Sequence, residues 1–300
     1  MTRPREIDKL TRALRDRPTW TPASVALHVV MAALALTSLV PFFWLICATF
    51  KTHDDMFTYT FLPTDVHRWT VSNFWSTHTD FEGLFNRQDF WSWMLNSMFV
   101  SSCHTVLVVT LSSLGGFALA KYQFAGKKPL MLLMLATMML PSQVLLGSTW
   151  ELMYKIGWLD SYAAIIVPGA VSVFGMFLFM QAMKGVPDEL LQAGRVDGCS
   201  EIRLWWEVAL PIVRPMIGAF TLLSFMSAWN SFLWPQIVLQ SANKYTLPIG
   251  LTNMIGAPSY NTPYGVLMAG TLISIIPVGI LFFILQKDFI AGLASGAVKG

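Results

Sequence analysis

The sequence predicts an all-α protein embedded in a lipid bilayer, with six transmembrane helices and one helical loop on the cytoplasmic side. Two features of composition favour this fold class: 54% of the residues are hydrophobic and only 12% are charged. Soluble domains carry about 25% charged residues, and a soluble chain of 300 residues could not cover its surface with so few. The third observation is a set of six long apolar stretches that contain no Asp, Glu, Lys or Arg.

Each apolar stretch is long enough to cross the hydrocarbon core, which takes about 20 residues of helix. Internal prolines such as Pro41, Pro168 and Pro277 fit this assignment, because neighbouring helices and hydroxyl side chains can satisfy the freed backbone groups. The first stretch is too long for a cleaved signal peptide, so we expect it to be retained. The predicted spans are residues 23–50, 93–120, 129–146, 162–183, 216–239 and 265–285.

The distribution of basic residues predicts the orientation of the chain. Fifteen of the 20 lysines and arginines lie in the N-terminal tail, the connection between the second and third spans, the loop after the fourth span, and the C-terminus. Because basic residues are enriched in cytoplasmic connections, both termini and that loop are expected in the cytoplasm. The predicted domains are a cytoplasmic tail, residues 1–22, and one transmembrane domain, residues 23–300.

The hydrophilic segment between the fourth and fifth spans, residues 187–211, predicts two short helices and is called the motif loop below. Asp188 and Glu189 would lie at the positive end of the first helix dipole. Gly198 can adopt the positive φ that ends one helix before the next begins. Ser200 is a suitable N-cap for the second helix. A compact unit of this kind, hinged at Gly198, suits contact with a partner protein.

The spacing within the motif loop resembles the EAA loop of binding-protein-dependent ABC importer permeases. That pattern is Glu-Ala-Ala, three residues, Gly, nine residues, an aliphatic residue, one residue and Leu-Pro. Here Gln192 stands in place of the motif glutamate and Gly194 in place of its second alanine. The matching positions are Gln192, Ala193, Gly194, Gly198, Val208, Leu210 and Pro211.

Four further segments are similar to the MalG-like carbohydrate permeases of that family: residues 118–126, 139–143, 229–235 and 286–300. The resemblance implies a permease subunit of an ATP-driven importer for a sugar or oligosaccharide, in the bacterial cytoplasmic membrane. The implied partners are ABC ATPase subunits, a second homologous permease subunit and an extracytoplasmic solute-binding protein. The residues implied in coupling to the ATPase are Glu189, Gln192, Ala193, Gly194, Asp197, Gly198, Leu210 and Pro211.

The chain lacks the residues that would let it supply energy or catalysis itself. It contains no Gly-x-x-x-x-Gly-Lys-Ser/Thr string, so ATP binding by a P-loop is not expected. The apolar stretches hold none of the charged groups that proton-driven and voltage-driven carriers need. The three cysteines lie far apart without metal-ligand spacing, and no nucleophile–base pair occurs. We therefore expect no enzyme, metal or cofactor, and a net charge of +3 gives no argument for nucleic acid.

Trp229, Asn230 and Ser227 in the fifth span are the predicted solute contacts. An indole face can stack on a sugar ring while amide and hydroxyl groups bind its OH groups; the alternative is that these residues only pack helices together. His104, in the second span, is expected to be a hydrogen-bonded helix contact, with a proton relay as the alternative. The functional alternative to an importer permease is a secondary carrier or a non-transporting membrane scaffold. Within the importer class, a glycerol-phosphate-type or other small polar solute stays open.

Overall fold

The structure is a computed structural model that describes residues 21–76, 82–255 and 264–297, so residues 1–20 of the predicted N-terminal tail lie outside the described residues. The described residues form helices and connecting turns, and no strand occurs among them. One helical segment, Leu204–Ala209, is π-helical. In chain order the helices are α1 Pro22–Thr49, α2 Gln88–Lys121, α3 Lys127–Thr137, α4 Leu146–Lys155, α5 Ala163–Ile166, α6 Val173–Met183, α7 Asp188–Val196, α8 Glu201–Ile212, α9 Arg214–Trp229, α10 Leu233–Val238, α11 Leu247–Asn253 and α12 Tyr264–Ala297.

Three of these helices are long and apolar enough to cross a membrane: α1, α2 and the part of α12 at Tyr264–Gly292. A fourth candidate arises if α8 and α9, which meet at 88°, are counted as one bent unit. The predicted all-helical fold is therefore confirmed, but the count of six continuous spans is not confirmed in the described residues. The predicted first, second and sixth spans each correspond to a single helix.

The third and fourth predicted spans are each divided at a proline. In residues 129–146 the break lies between Thr137 and Leu146 and includes Pro141. Proline interrupts a helix because it has no N–H and keeps the preceding residue out of the helical region. In residues 162–183 the break between α5 and α6 includes Pro168. Ser172 then begins α6, and its Oγ accepts a hydrogen bond from the backbone N–H three residues later at 3.0 Å. The third predicted span thus contains α3 followed by a short 3-10 turn, Ser142–Leu145, and the fourth contains the two short helices α5 and α6.

The fifth predicted span, residues 216–239, is also divided into two helices. α9 ends at Trp229, Asn230 is its C-cap with a non-helical ψ of 2°, and α10 begins at Leu233. At its other end α9 has Pro215 in its first turn, where the missing N–H costs nothing. α8 and α9 meet at 88°, with Val213 as the N-cap of α9 between them.

Glycines let α2 and α6 pack with almost no side chain between their backbones. A Cβ atom added at Gly116 would lie 2.5 Å from Cβ of Phe179 and 2.8 Å from the backbone nitrogen of Met180. One added at Gly115 would lie 2.6 Å from Sδ of Met176. Small residues at helix contacts allow this close approach in membranes, where packing drives association. α2 and α6 therefore form one closely packed pair.

A second close pair consists of α9 and α12. A Cβ atom at Gly218 of α9 would lie 2.4 Å from Cβ of Asp288 on α12, and Arg214 approaches the Asp288 carboxylate at 3.7 Å. The two pairs meet at Gly175 of α6, where an added Cβ would lie 2.3 Å from the ring of Phe220 on α9. These contacts hold α2, α6, α9 and α12 together as the centre of the structure.

In contrast, α1 and α3 are largely exposed. Only Cys47, Ala48 and Thr49 are buried in α1, and no residue of α3 is buried. Large apolar side chains on both helices face outward, among them Leu34 at 64% exposure and Leu132 at 70%. Exposed apolar surface of this extent marks contact with lipid or with another membrane protein rather than with water.

The connection between α1 and α2 is held by buried polar contacts. Lys51 is fully buried, and its ammonium group donates to the backbone carbonyl of Tyr59 at 2.5 Å. Burial lowers the pKa of Lys51. Arg68 donates to the buried carboxylate of Asp55 at 2.5 Å, and the Asn73 amide donates to the Lys51 carbonyl at 2.8 Å. Because buried polar groups are costly unless they are paired, these contacts fix the described part of the connection in one conformation.

The α2–α6 contact predicts the effect of adding one methyl group. Gly116→Ala should destabilise the protein by about 1–3 kcal/mol, because the new Cβ meets backbone that cannot move aside cheaply. Gly279→Ala in α12 is the matched control, since nothing lies within 4 Å of its Cβ position, and alanine favours a helix interior. The measurement is the thermal unfolding midpoint of the detergent-purified protein. Equal midpoints for the two variants would contradict the close packing of α2 and α6.

Candidate functional site: the motif loop and the membrane cavity

The motif loop contains the two predicted helices, α7 and α8, with Gly198 between them. Gly198 has a φ of +80°, and a Cβ atom added there would meet nothing within 4 Å. Glycine is therefore needed at this position for its backbone conformation and not for space. Ser200 is the N-cap of α8, and its Oγ accepts from the Arg203 backbone N–H at 3.3 Å. The predicted positive φ at Gly198 and the predicted N-cap at Ser200 are both present in the structure.

Gly194 lies in close contact with a side chain of α8. A Cβ atom there would lie 2.4 Å from Cδ2 of Leu204, so the backbone of α7 lies directly on a side chain of α8. Leu204 is fully buried and Leu191 of α7 is 1% exposed. Both belong to an apolar cluster that includes Phe179 and Met183 of α6. The two helices of the motif loop thus pack on each other and on the end of α6.

The other residues predicted to couple to a partner lie mainly on the outer surface of the motif loop. Exposed are Glu189, Gln192, Ala193, Asp197 and Pro211, while Leu210 is partly buried. Three apolar side chains on the same loop are also exposed: Val196 at 88%, Ile202 at 69% and Trp206 at 63%. Exposed apolar side chains among polar ones are typical of a protein–protein contact surface. The sequence pattern did not single out these three.

Lys121, the last residue of α2, holds the start of the motif loop. Its side chain is only 6% exposed, and its ammonium group donates to the Val186 carbonyl at 2.5 Å. It also contacts the carboxylate of Asp188, in the first turn of α7, at 2.6 Å. Since a buried ammonium group is costly when unpaired, Lys121 fixes the distance between the end of α2 and the start of α7.

Tyr122, the next residue, holds the second helix through Glu201. The Tyr122 hydroxyl donates to the Glu201 carboxylate, which also accepts two hydrogen bonds from Arg195 of α7 at 2.7 and 3.1 Å. Hydrogen bonds from Arg195 and then Tyr122 lower the pKa of Glu201. The carboxylate is therefore ionised at neutral pH, and its stabilising contribution is lost only as the pH falls through that lowered value. Burial, followed by the bond to Glu201, raises the pKa of Tyr122, so its hydroxyl stays a donor.

The sequence did not predict that Lys121, Tyr122, Arg195 and Glu201 form part of the site. Lys121 and Tyr122 lie in the segment at 118–126 that resembles the carbohydrate permeases, but they are 67 and 79 residues from their partners Asp188 and Glu201. No local spacing connects positions so far apart. Only the fold brings them to the motif loop.

A cavity of about 820 Å³ lies among α2, α4, α6, α9 and α10. Among the residues lining it there is no Asp, Glu, Lys or Arg. Its polar groups include His104, Thr149, Ser172, Ser224, Ser227 and Ser231, and its aromatic groups include Phe220, Phe232 and Trp234. Within the described residues, no group of three His, Cys, Asp or Glu side chains could hold a metal ion. The cavity surface is therefore uncharged, with hydroxyl groups and aromatic rings side by side.

His104 lies on the wall of this cavity. Its Nδ1 is 3.3 Å from the carbonyl oxygen of Ile166, and a Cβ atom at Gly169 would lie 2.7 Å from its Cε1. The imidazole thus packs against the backbone between α5 and α6. This agrees with the predicted role as a hydrogen-bonded helix contact.

Of the three predicted solute contacts, only Ser227 lines the cavity. Trp229 is 4% exposed, its ring stacks on Phe225 with 5.7 Å between centroids, and its Nε1 donates to a carbonyl of α12 at 3.2 Å. Asn230 is exposed, and its amide donates to a carbonyl one turn earlier in α9 at 2.9 Å. The contacts of Trp229 agree with the packing alternative. The sequence showed which residues are polar or aromatic, but not which side of a broken helix each one faces.

Residues 112–293 match the family model described as "Binding-protein-dependent transport system inner membrane component". The match covers more than half of the chain and includes the whole motif loop and most of the cavity wall. The chain therefore belongs to this family. It is a membrane-embedded subunit of a transport system, and the predicted class of non-enzymatic transport permease is confirmed.

Individual proteins agree with this assignment. The chain is 36% identical over 278 residues to the arabinooligosaccharides transport system permease protein AraQ of Halalkalibacterium halodurans, covering 91% of this chain and 96% of the relative. Its fold is similar, at a TM-score of 0.78 and 21% identity, to a chain of a bacterial ABC transporter involved in the import of the acidic polysaccharide alginate, with coverage of 91% and 100%. The fold is also similar, at a TM-score of 0.60 and 11% identity, to a chain of a bacterial alginate ABC transporter in complex with an alginate pentasaccharide-bound periplasmic protein. This match covers 88% of the present chain and 94% of the other.

The position of Trp229 predicts a specific effect on stability. Trp229→Phe should lower the free energy of unfolding by about 0.5–1.5 kcal/mol, because the carbonyl of Ser274 loses its donor while the stacking on Phe225 is kept. Trp206→Phe, at a side chain that is 63% exposed, should change little. Thermal unfolding of the purified variants measures both. Equal stability of Trp229→Phe and the unsubstituted protein would contradict a packing role for this indole.

Proposed function

We propose that the chain is one of two permease subunits of an ATP-driven importer that takes up a neutral sugar or oligosaccharide across the bacterial cytoplasmic membrane. The observation that carries the proposal is the uncharged cavity, whose hydroxyl groups and aromatic rings suit a polyhydroxylated solute. Similarity to a permease named for arabino-oligosaccharides supports the same class of solute. A secondary carrier or a membrane scaffold is not favoured, because the family consists of components of binding-protein-dependent systems.

The partners of the proposed importer have separate places on the chain. ABC ATPase subunits would bind the exposed surface of the motif loop, through Gln192, Ala193 and the neighbouring apolar side chains. A second, homologous permease subunit and lipid would cover the apolar faces of α1 and α3. A solute-binding protein would deliver the solute from outside, as a periplasmic protein is bound in a complex of similar fold. Both termini and the motif loop would lie in the cytoplasm.

The proposed topology keeps six membrane crossings, three of them interrupted. Backbone that is not helical is tolerated at membrane depth where it is buried in protein or lines a water-filled cavity. All three breaks meet this condition, because the cavity is lined by Gln143 at the first, by Pro168 and Ser172 at the second, and by Ser231 and Phe232 at the third. The interruptions therefore place backbone and hydroxyl groups along the solute path.

Within this path, Ser227 is the predicted contact with the most direct structural support. Trp234 offers an indole ring on the same wall, and its Nε1 donates to the Ala164 carbonyl at 2.9 Å, which fixes the ring. Asn230 stays a proposed contact, since it lies at the α9–α10 break beside Ser231. Trp229 would support this wall from behind by packing on α12.

Energy coupling through the motif loop should depend on the backbone of Gly198. Gly198→Val places a β-branched side chain at a φ of +80° and should abolish uptake while the protein still inserts in the membrane. Gly198→Asn is the matched control, because asparagine tolerates positive φ and should keep a substantial part of the uptake. The measurement is solute uptake per assembled complex. Normal uptake by Gly198→Val would exclude the hinge as a coupling element.

Uptake should require ATP hydrolysis by the partner subunits and not a proton gradient. We expect the complete complex in proteoliposomes to import a labelled arabino-oligosaccharide when ATP is supplied, and an uncoupler should leave that import unchanged. Glycerol 3-phosphate serves as the competing probe for the anionic solute class. Import that collapses with the uncoupler while ATP stays high would contradict the proposed energy source. Import of the phosphate ester but not the saccharide would contradict the proposed substrate.

A further inference from the structure

The contacts of Lys121 and Tyr122 give the motif loop a third attachment to the membrane helices. Through the chain itself the loop is joined only to α6 and α9. Lys121 adds a bond to the start of α7, and Tyr122 adds a bond to the start of α8. Both residues come from the end of α2, so one helix holds both halves of the loop.

The same contacts bridge the Gly198 hinge. Arg195 lies on α7 and Glu201 on α8, and their two hydrogen bonds cross the hinge directly. Tyr122 binds the same carboxylate from α2. Hydrogen bonds to charged groups are stronger than those between neutral groups. Bending at Gly198 would break them, so the loop and the end of α2 move together.

α2 leads from this attachment directly to the cavity. It is a helix of 34 residues, which corresponds to about 50 Å of length, and Val100, His104 and Val108 of α2 line the cavity wall. Its close packing on α6 through Gly115 and Gly116 leaves little room for sliding. A displacement at the end of α2 therefore also moves the residues of α2 that line the cavity.

From these three observations we propose that Lys121 and Tyr122 are positioning residues for energy coupling. They transmit movement of the motif loop to α2 and so to the cavity wall, without touching either the ATPase or the solute. The inference rests on the proposed function. It adds a mechanical connection through α2 to the expected contact between the loop and the ATPase.

The test compares Tyr122→Phe and Lys121→Met in the complete complex, reconstituted in proteoliposomes with ATP and a labelled arabino-oligosaccharide. The readout is the number of ATP molecules hydrolysed per solute imported. We expect each variant to raise this ratio roughly three- to tenfold, because a charge-assisted contact is lost. Lys121→Arg should retain a ratio near that of the unsubstituted complex, since it keeps the positive charge. Tyr154→Phe, on an exposed ring of α4, is the matched control and should leave the ratio unchanged.

A pair of variants tests whether Tyr122 acts through Glu201. If both residues belong to one connection, Tyr122→Phe combined with Glu201→Gln should raise the ratio no further than the larger single effect. An additive increase would overturn the assignment of Tyr122 to this connection.

Two outcomes would overturn the inference as a whole. One is an unchanged ratio in Tyr122→Phe and Lys121→Met. The other is a smaller yield of assembled complex with a normal ratio per complex, which would make the contacts structural only. Failure of the unsubstituted complex to couple ATP hydrolysis to uptake would instead remove the proposed function itself, so the two failures are distinguishable.

Discussion

Glu201 accepts hydrogen bonds from Arg195 and Tyr122, and this one carboxylate links α7, α8 and the end of α2. Without it, no charged contact would cross Gly198, and α7 and α8 would be held together by the chain and by the packing of Gly194 on Leu204. The lowered pKa of Glu201 keeps the contact ionised at neutral pH. Lys121 adds a nearly buried contact at the start of α7. A short loop between two membrane helices thus becomes a rigid unit attached to a third helix.

The second constraint is the close packing of the central helices. Gly116 and Gly175 bring α2, α6 and α9 so near to one another that an added methyl group would meet neighbouring atoms at 2.5 Å or less. The same helices surround the uncharged cavity. Its wall is therefore built partly from backbone at the breaks in the chain, where Pro168 and Ser231 lie, and partly from hydroxyl side chains. Non-helical backbone is tolerated at membrane depth where it lines such a cavity.

Much of this architecture could be predicted from the sequence, for identifiable physical reasons. Low charge and long apolar stretches predicted membrane helices, and the spacing around Gly198 predicted two short helices with a positive φ between them. Continuous spans were predicted where Pro141 and Pro168 divide them, since composition alone does not separate a kinked helix from a broken one. The hydrogen bond from Tyr122 to Glu201 joins positions 79 residues apart. The direction in which the Trp229 side chain points depends on how α9 packs on α12. Both are properties of the tertiary structure, which local patterns do not contain.

If the motif loop and the end of α2 move as one body, the distance between the end of α2 and α8 stays constant when ATP binds. Spin labels are placed at Gln123, beside Tyr122, and at Ile212, the exposed end of α8, after Cys47, Cys103 and Cys199 are replaced. Pulsed electron paramagnetic resonance then gives the distance between the labels in the complete complex, with and without ATP. We expect the same narrow distance distribution in both states, and a broader one when Tyr122→Phe is added. A shift of the mean distance on ATP binding, in the protein that retains Tyr122, would show that the motif loop and the end of α2 move separately.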